Sequence, residues 1–264
     1  MACTCTENRS FAEALPAPAS GHPYLDRLRR HRRMWDSKPA VRAQYRYWYR
    51  LVTAQLANLS PSIELGCGCG NFKGCYPEVL ATDAMPTPWC DRVVDACHMN
   101  FEDDSVGNLV MFDVLHHIPE PLRVFEEASR VLRPSGRIVV VEPLLTAWSR
   151  IVYRFHHESI DETSDLFNVP APPPSSADYA NAATATLFFH RHREAFLQHV
   201  PRLRWVSDQA FSCLAYPLTG GFRPFCLIPA CAVNALSRAE GFVISRWRCR
   251  FLALRTLIVL EKRE

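Results

Sequence analysis

The sequence predicts an α/β protein built on an open sheet, and three observations predict it. The first is Ile63-Glu64-Leu65-Gly66-Cys67-Gly68-Cys69-Gly70, the end of a buried strand running into a glycine loop. Glycine lets backbone turn sharply and lie close against a ligand. A loop of this kind at the carboxyl end of a strand is where open α/β sheets bind nucleotide-like ligands. The second is an ordered series of short apolar runs that follow the loop, two of them carrying an acid at or near their end. The third is a helix over 120–132, with Leu122, Phe125, Ala128, Val131 and Leu132 as its apolar stripe. Pro119 lies just before its start and Pro134 beyond its end.

The elements follow in order. Residues 1–23, rich in Ala, Pro and Ser over 1–21, are expected to be disordered. Residues 24–59 form a helical cap: Tyr45, Trp48, Tyr49, Val52 and Leu56 recur at helical spacing, and Pro39 separates two helices. These aromatics either pack on the sheet or cover a site. Arg27, Arg29, Arg30, His31, Arg32 and Arg33 are the most basic run. It reads as a solvated helix face, with contact to anionic lipid or nucleic acid as the alternative.

Residues 60–143 carry the core. Asn71 to Pro77 leaves room for about two helical turns after the glycine loop. The second strand lies within 77–83 and ends at Asp83. The third lies within 92–96, with Asp95 near its end. The fourth occupies 108–118 and includes Asp113, His116 and His117. The fifth is entered through the Leu132-Arg133-Pro134-Ser135-Gly136 turn and runs to Pro143. Asp83, at a strand tip facing a cleft, is expected to support no packing.

Residues 144–235 are an insert. A helix is expected over 144–157, then an acidic stretch (Glu158, Asp161, Glu162, Asp165), a stiff loop at Pro170-Ala171-Pro172-Pro173-Pro174, a helix over 187–200 and a sixth strand over 204–211. Residues 213–230 are strongly apolar with turn-forming Gly and Pro. Three readings stay open for them: lining a pocket, resting on a membrane surface, or packing over the sheet. Residues 236–264 are assigned to the sheet, with the last strand at 254–260.

The glycine spacing selects the ligand. A dinucleotide loop wants glycine at its first, third and sixth positions; counted from Gly66, the sixth is Asn71. Glu64 would be awkward beside a pyrophosphate and suits the ammonium of S-adenosylmethionine. An acid about 20 residues beyond such a loop hydrogen-bonds ribose hydroxyls, which points to Asp83. Together the loop, the spaced acids, Asp113-Val114-Leu115-His116-His117 and the Leu-Arg-Pro-Ser-Gly turn resemble the class I S-adenosylmethionine-dependent methyltransferases, and among them the type 11 group. The resemblance covers residues 60–143, about a third of the chain.

The resemblance implies a Rossmann-like, doubly wound, mixed seven-stranded sheet with helices on both faces. It also implies a closing antiparallel hairpin, and an acceptor pocket built by the insert before the last strands. It implies that Glu64 faces the methionine ammonium and that Gly66, Cys67, Gly68 and Gly70 pass the backbone under the cofactor. Asp83, with Ala84 beside it, holds the ribose, and Asp95 with Ala96 brackets the adenine. Asp113 contacts cofactor or acceptor, or only ends its strand. His116 and His117 lie where the methyl should point and serve as a base, or else shape the pocket or cap the next helix. Tyr153, His156 and His157 are further candidates.

Methyl transfer from a sulfonium is an in-line displacement, so the protein mainly supplies alignment and desolvation. A base is needed only when the acceptor must lose a proton. The expected function is transfer of a methyl group to a small or lipid-linked acceptor. The alternative is a cofactor-binding, non-catalytic subunit that regulates a partner, motivated by the short segment after the loop and the lack of a clear base. A nicotinamide-dependent oxidoreductase is disfavoured by Asn71.

Composition sets limits. The 264 residues are 48% hydrophobic, and 30 basic against 27 acidic residues give a net charge of +3. A dedicated nucleic-acid-binding domain would be far more basic. The absence of a bilayer-length apolar run and of an apolar signal core in the first residues predicts a cytoplasmic protein, with peripheral membrane contact left open. The eleven cysteines, an odd number, read as reduced thiols. The one-residue gap between Cys67 and Cys69 is not a zinc spacing, even with Cys75 nearby, so no metal is expected; Cys3 and Cys5 are read the same way.

Overall fold

The computed structural model describes residues 22–154, 159–168, 179–246 and 249–264. The expected disorder of 1–21, the stiff 170–174 loop, Cys3, Cys5, His156, His157 and Glu158 lie outside them.

Each of the first two helices begins with proline, which is preorganised for the first helical turn. They are α1 (Pro23–Ser37) and α2 (Pro39–Thr53), and they meet at Lys38. The strands are β1 (Ser62–Leu65), β2 (Leu80–Asp83), β3 (Arg92–Val93), β4 (Val106–Phe112), β5 (Leu132–Pro143), β6 (Leu203–Phe211) and β7 (Arg255–Lys262). They form one seven-stranded sheet in the order β3-β2-β1-β4-β5-β7-β6. The first five are parallel, and β7 runs antiparallel to both β5 and β6. This is the mixed sheet that the sequence led us to expect.

Successive strand residues point to opposite faces, so the sheet has two cores. Leu109, Met111, Ile138, Val140, Ile258 and Leu260 pack with α3 (Pro121–Val131) and with Phe188, Phe189 and Phe196. Val110, Val139, Val141, Leu257 and Val259 pack on the other side with Trp35, Tyr45, Trp48, Tyr49 and Val52 of α1 and α2. Strands buried on both faces read as continuous apolar runs, which is why Ile138-Val139-Val140-Val141 and Leu257-Ile258-Val259-Leu260 carry no polar residue.

The structure departs from expectation in several places. β4 ends at Phe112, and His116 and His117 sit in a 3-10 turn (Leu115–His117) rather than in the fourth strand. α1 takes in Pro23, and α2 ends at Thr53, short of Leu56. Residues 71–77 form turns rather than helix, tied by Gly74 N to Gly70 O (3.0 Å) and Tyr76 N to Phe72 O (2.9 Å); Pro77 leaves no length for more. β3 is two residues long, so Asp95 lies past the strand. The 187–200 helix is broken at His192, between a π-helical turn (Leu187–Arg191, continuing α5, Thr184–Thr186) and α6 (Arg193–His199). Residues 236–246, which the sequence analysis gave to the sheet, belong to α8 (Ala230–Arg246). This helix packs on α2, where Ser237 Oγ donates to Gln44 Oε1 at 3.1 Å. Within 144–157, α4 covers Ala147–Tyr153 and is capped by Thr146, whose hydroxyl accepts from Ser149 N. Residues 213–230 contain α7 (Ala215–Thr219) and a turn at Gly220 and Gly221. Tyr216 and Phe222 pack on the aromatic core, whereas Leu214, Phe225 and Leu227 are exposed. No helix among the described residues is long and apolar enough to cross a membrane.

Candidate functional site

The glycine loop leaves β1 at the carboxyl edge of the parallel strands. Gly66 and Gly70 have positive φ, and a Cβ at either would meet Val114 Cγ2 at 2.5 Å or Trp89 Cβ at 2.9 Å. Only glycine fits both the conformation and the space. The loop is pinned to β2 by Cys67 N donating to Thr82 O (2.8 Å) and Gly68 N donating to Asp83 Oδ2 (3.0 Å). Cys67 and Cys69 are buried, and burial pushes both thiols up, Cys69 to about 11. They fill space as neutral side chains.

Glu64 is 4% exposed, and its Oε2 has no hydrogen-bond partner among the described residues. Burial, reinforced by the nearby Asp83 and Asp91 carboxylates, pushes its pKa up to about 8. A buried carboxylate without a partner is costly, which is why this group keeps its proton into the neutral range. Asn71 Oδ1, at the far end of the loop, is likewise buried and unpartnered among the described residues.

Asp83 is 3% exposed, not an open strand tip. Besides Gly68 N, it accepts Met85 N (3.2 Å) and the Tyr24 hydroxyl, which lies 3.2 and 3.1 Å from its two oxygens. The expectation that Asp83 supports no packing is therefore overturned: it ties α1 to β2 and the glycine loop. Burial raises its pKa against these hydrogen bonds, and burial beside the carboxylate pushes the Tyr24 phenol far above its ordinary range. Ala84 beside it is exposed.

Asp95 differs. It is exposed, accepts Cys97 N at 2.8 Å and pairs with His98 Nδ1 at 3.2 Å, closing a turn. Ala96 is half-buried. Asp113 has φ 58°, a conformation that aspartate tolerates better than most residues. Its carboxylate pairs with buried Arg255, whose guanidinium lies over Trp48 and Tyr216.

The two histidines part company. His116 is 2% exposed, with Nδ1 2.5 Å from Glu142 Oε2. Glu142 Oε1 also accepts Val114 N (2.9 Å) and Leu115 N (2.7 Å), which fixes the turn after β4. His117 is exposed, with Nδ1 3.2 Å from Tyr179 O and its ring 4.1 Å from that of His116. Tyr153 donates to Leu254 O and so ties α4 to the approach to β7.

Sequence reasoning missed Tyr24, whose bond to Asp83 spans 59 residues, and the role of Glu142. An aromatic residue opening an amphipathic helix beside a cofactor loop was the available signal for Tyr24. The Glu-Pro end of β5 was the signal for Glu142.

Residues 63–140 match the family model of a methyltransferase domain. The 27-O-demethylrifamycin SV methyltransferase of Amycolatopsis mediterranei is 28% identical over 142 residues, 44% of this chain. The match spans about half of that protein, 51%. Two solved structures share the fold. One is a methyltransferase in complex with the Haloferax volcanii Trm112 methyltransferase activator (TM-score 0.50, 16% identity, 90% of this chain and 94% of that one). The other is a SAM-dependent methyltransferase from Archaeoglobus fulgidus (TM-score 0.51, 15% identity, 84% and 94%). The glycine loop and the strand order agree with these matches: residues 63–140 are similar to the methyltransferase-domain family, and the sheet has the fold of the two solved methyltransferases.

Proposed function

We propose that this chain transfers a methyl group from S-adenosylmethionine to a small or lipid-linked acceptor. The observation that carries this is the buried Glu64 carboxyl at the end of β1, its Oε2 unpartnered among the described residues, beside Asp83 and just before a loop that only glycine can form. When bound, the cofactor supplies a methyl on a positive sulfur. Glu64 then receives the methionine ammonium, which satisfies its orphaned oxygen. Asp83 holds the ribose once Tyr24 has given way, and the loop backbone, Cys67 included, lies under the cofactor. Asp95 and Ala96 border the adenine. The name of the Amycolatopsis relative supports a small-molecule acceptor.

Where the acceptor must lose a proton, His117 is the base and His116, anchored by Glu142, is its positioning residue. Asp113, already paired with Arg255, shapes the acceptor side. The test is calorimetric titration with S-adenosylhomocysteine. Heat and thermal stabilisation are expected; neither, in folded protein, would sink the reading. His117→Ala should lower turnover and leave cofactor affinity unchanged. A second reading, a cofactor-binding regulatory subunit, is favoured by the turns that replace a helix after the loop. It predicts binding without turnover and a co-purifying partner.

A further inference from the structure

Three pieces of the insert and its flanks share one surface: α4, the 3-10 turn at Arg250–Leu252 and the carboxyl end of α8. They are locked together. Thr146 Oγ1 donates to Ala253 O at 2.9 Å, Leu144 N to Leu254 O at 2.9 Å, and the Tyr153 hydroxyl also to Leu254 O. Trp148, Ile244 and Leu252 pack in one small cluster beneath.

This rigid block exposes large apolar side chains: Ile151 is 54%, Phe251 56% and Phe242 59% exposed. Arg150, Arg154, Arg246 and Arg250 stand exposed among them. Residues 144–157 and 241–254 contain no Asp or Glu. Among the described residues, Glu162 pairs with both Arg150 and Arg191, and Asp208 with both Arg250 and Arg193. Apolar side chains amid arginine with few acids match an interface between acyl chains and anionic headgroups.

We propose that this face docks on an anionic lipid surface. α4 follows the carboxyl end of β5, and the Arg250–Leu252 turn precedes the start of β7. Both lie at the sheet edge that carries the glycine loop and Asp83. Docking therefore sets the reaction edge beside the bilayer, where a lipid-linked acceptor would be met. Residues 213–230 also expose Leu214, Phe225 and Leu227 but carry a single basic residue, Arg223, so membrane contact is assigned to this arginine-rich block.

The test is co-sedimentation of the full chain with vesicles of phosphatidylcholine alone or with one quarter phosphatidylglycerol. Binding to the anionic vesicles alone, weakened by salt, is expected. Each arginine at such a surface contributes about fivefold, so Arg154→Glu with Arg246→Glu should lower partitioning by about 25-fold or more. Ile151→Ser with Phe251→Ser should lower it independently. Absence of binding to anionic vesicles, or binding that neither double variant changes, would overturn the proposal. So would a concentration-dependent dimer, abolished by the charge reversal, in protein that ignores vesicles; that outcome assigns the face to a second copy of the chain. The assay contains no cofactor, and S-adenosylhomocysteine binding measured on the same sample separates its failure from failure of the methyltransferase reading.

Discussion

The two halves of the sheet are held together by different means. On one side, β1, β2 and β3 are four, four and two residues long, and turns alone connect them. On the other, β4, β5, β6 and β7 have seven, twelve, nine and eight residues and are covered by helices on both faces. The short half is stitched by polar side chains. Asp91 accepts Ala81 N at 2.8 Å and pairs with Lys73; Thr82 Oγ1 donates to Glu64 O at 2.7 Å; Asp83 gathers Tyr24, Gly68 and Met85. The long half is held by apolar packing. On the proposed reading the difference teaches that Asp83 serves the cofactor side both as scaffold and as ligand group. Substitutions there should be felt in binding, and substitutions in the long half in stability.

The largest expected effect lies in the long half. Phe125 is fully buried and meets Phe196 edge-to-face at 4.9 Å and Phe189 at 5.7 Å. Phe125→Ala should cost about 3–5 kcal/mol of stability by denaturant unfolding. The folded fraction should bind S-adenosylhomocysteine normally. Weakened binding in folded protein would show that the halves are not independent.

Asp83→Ala tests the other side. Hydrogen bonds to a charged group are worth roughly 1.5–3 kcal/mol each, so affinity for S-adenosylhomocysteine should fall at least about tenfold. Because Asp83 also holds Tyr24 and Gly68, the cofactor-free protein should lose stability too. Unchanged affinity in folded protein would remove the ribose from this carboxylate.

Glu64 sharpens the comparison through pH. Its pKa stands near 8 in the folded protein, well above the ordinary carboxylate value near 4.3. The folded state therefore holds a proton that the unfolded chain has released, and cofactor-free stability should fall as pH rises from about 4.3 to 8. A bound ammonium favours the ionised form, so cofactor binding releases that proton. Affinity should rise by up to about tenfold per pH unit below 8 and then level off. In Glu64→Gln the rise should vanish. A flat profile in the unsubstituted protein would break the assignment.

Legibility follows the same division. Turn chemistry is local, so Gly66, Gly68, Gly70, Pro39 and Pro77 announced the loop, the split between α1 and α2 and the truncated segment. The long strands were readable because their burial on both faces leaves unbroken apolar runs. What failed was long-range or weakly patterned. The aromatic residue opening α1 marks Tyr24 only as a lining residue, because its bond to Asp83 spans 59 residues. Glu142 reaches back to His116 across 26 residues. α8 was missed because Ala, Val, Leu, Phe and Ile lie all round it rather than in one stripe. β3 ended early because Asp95 turns the chain by accepting Cys97 N, a side-chain bond that strand propensity does not foresee.

The smallest effect bears most directly on how the cofactor side works. The Tyr24 phenol sits on both oxygens of Asp83, the positions a ribose diol takes on the proposed reading. If α1 latches the empty site in this way, that hydrogen bond counts against binding, because the cofactor must displace it. Tyr24→Phe keeps the ring and removes only the hydroxyl. A net hydrogen bond is worth about 1 kcal/mol. The variant should therefore lose about that much cofactor-free stability and bind S-adenosylhomocysteine about fivefold more tightly. Stability and affinity moving in opposite directions is the signature of displacement. A hydroxyl that instead touches the bound cofactor would lower both in the variant, and that result would turn α1 from a latch into part of the binding surface.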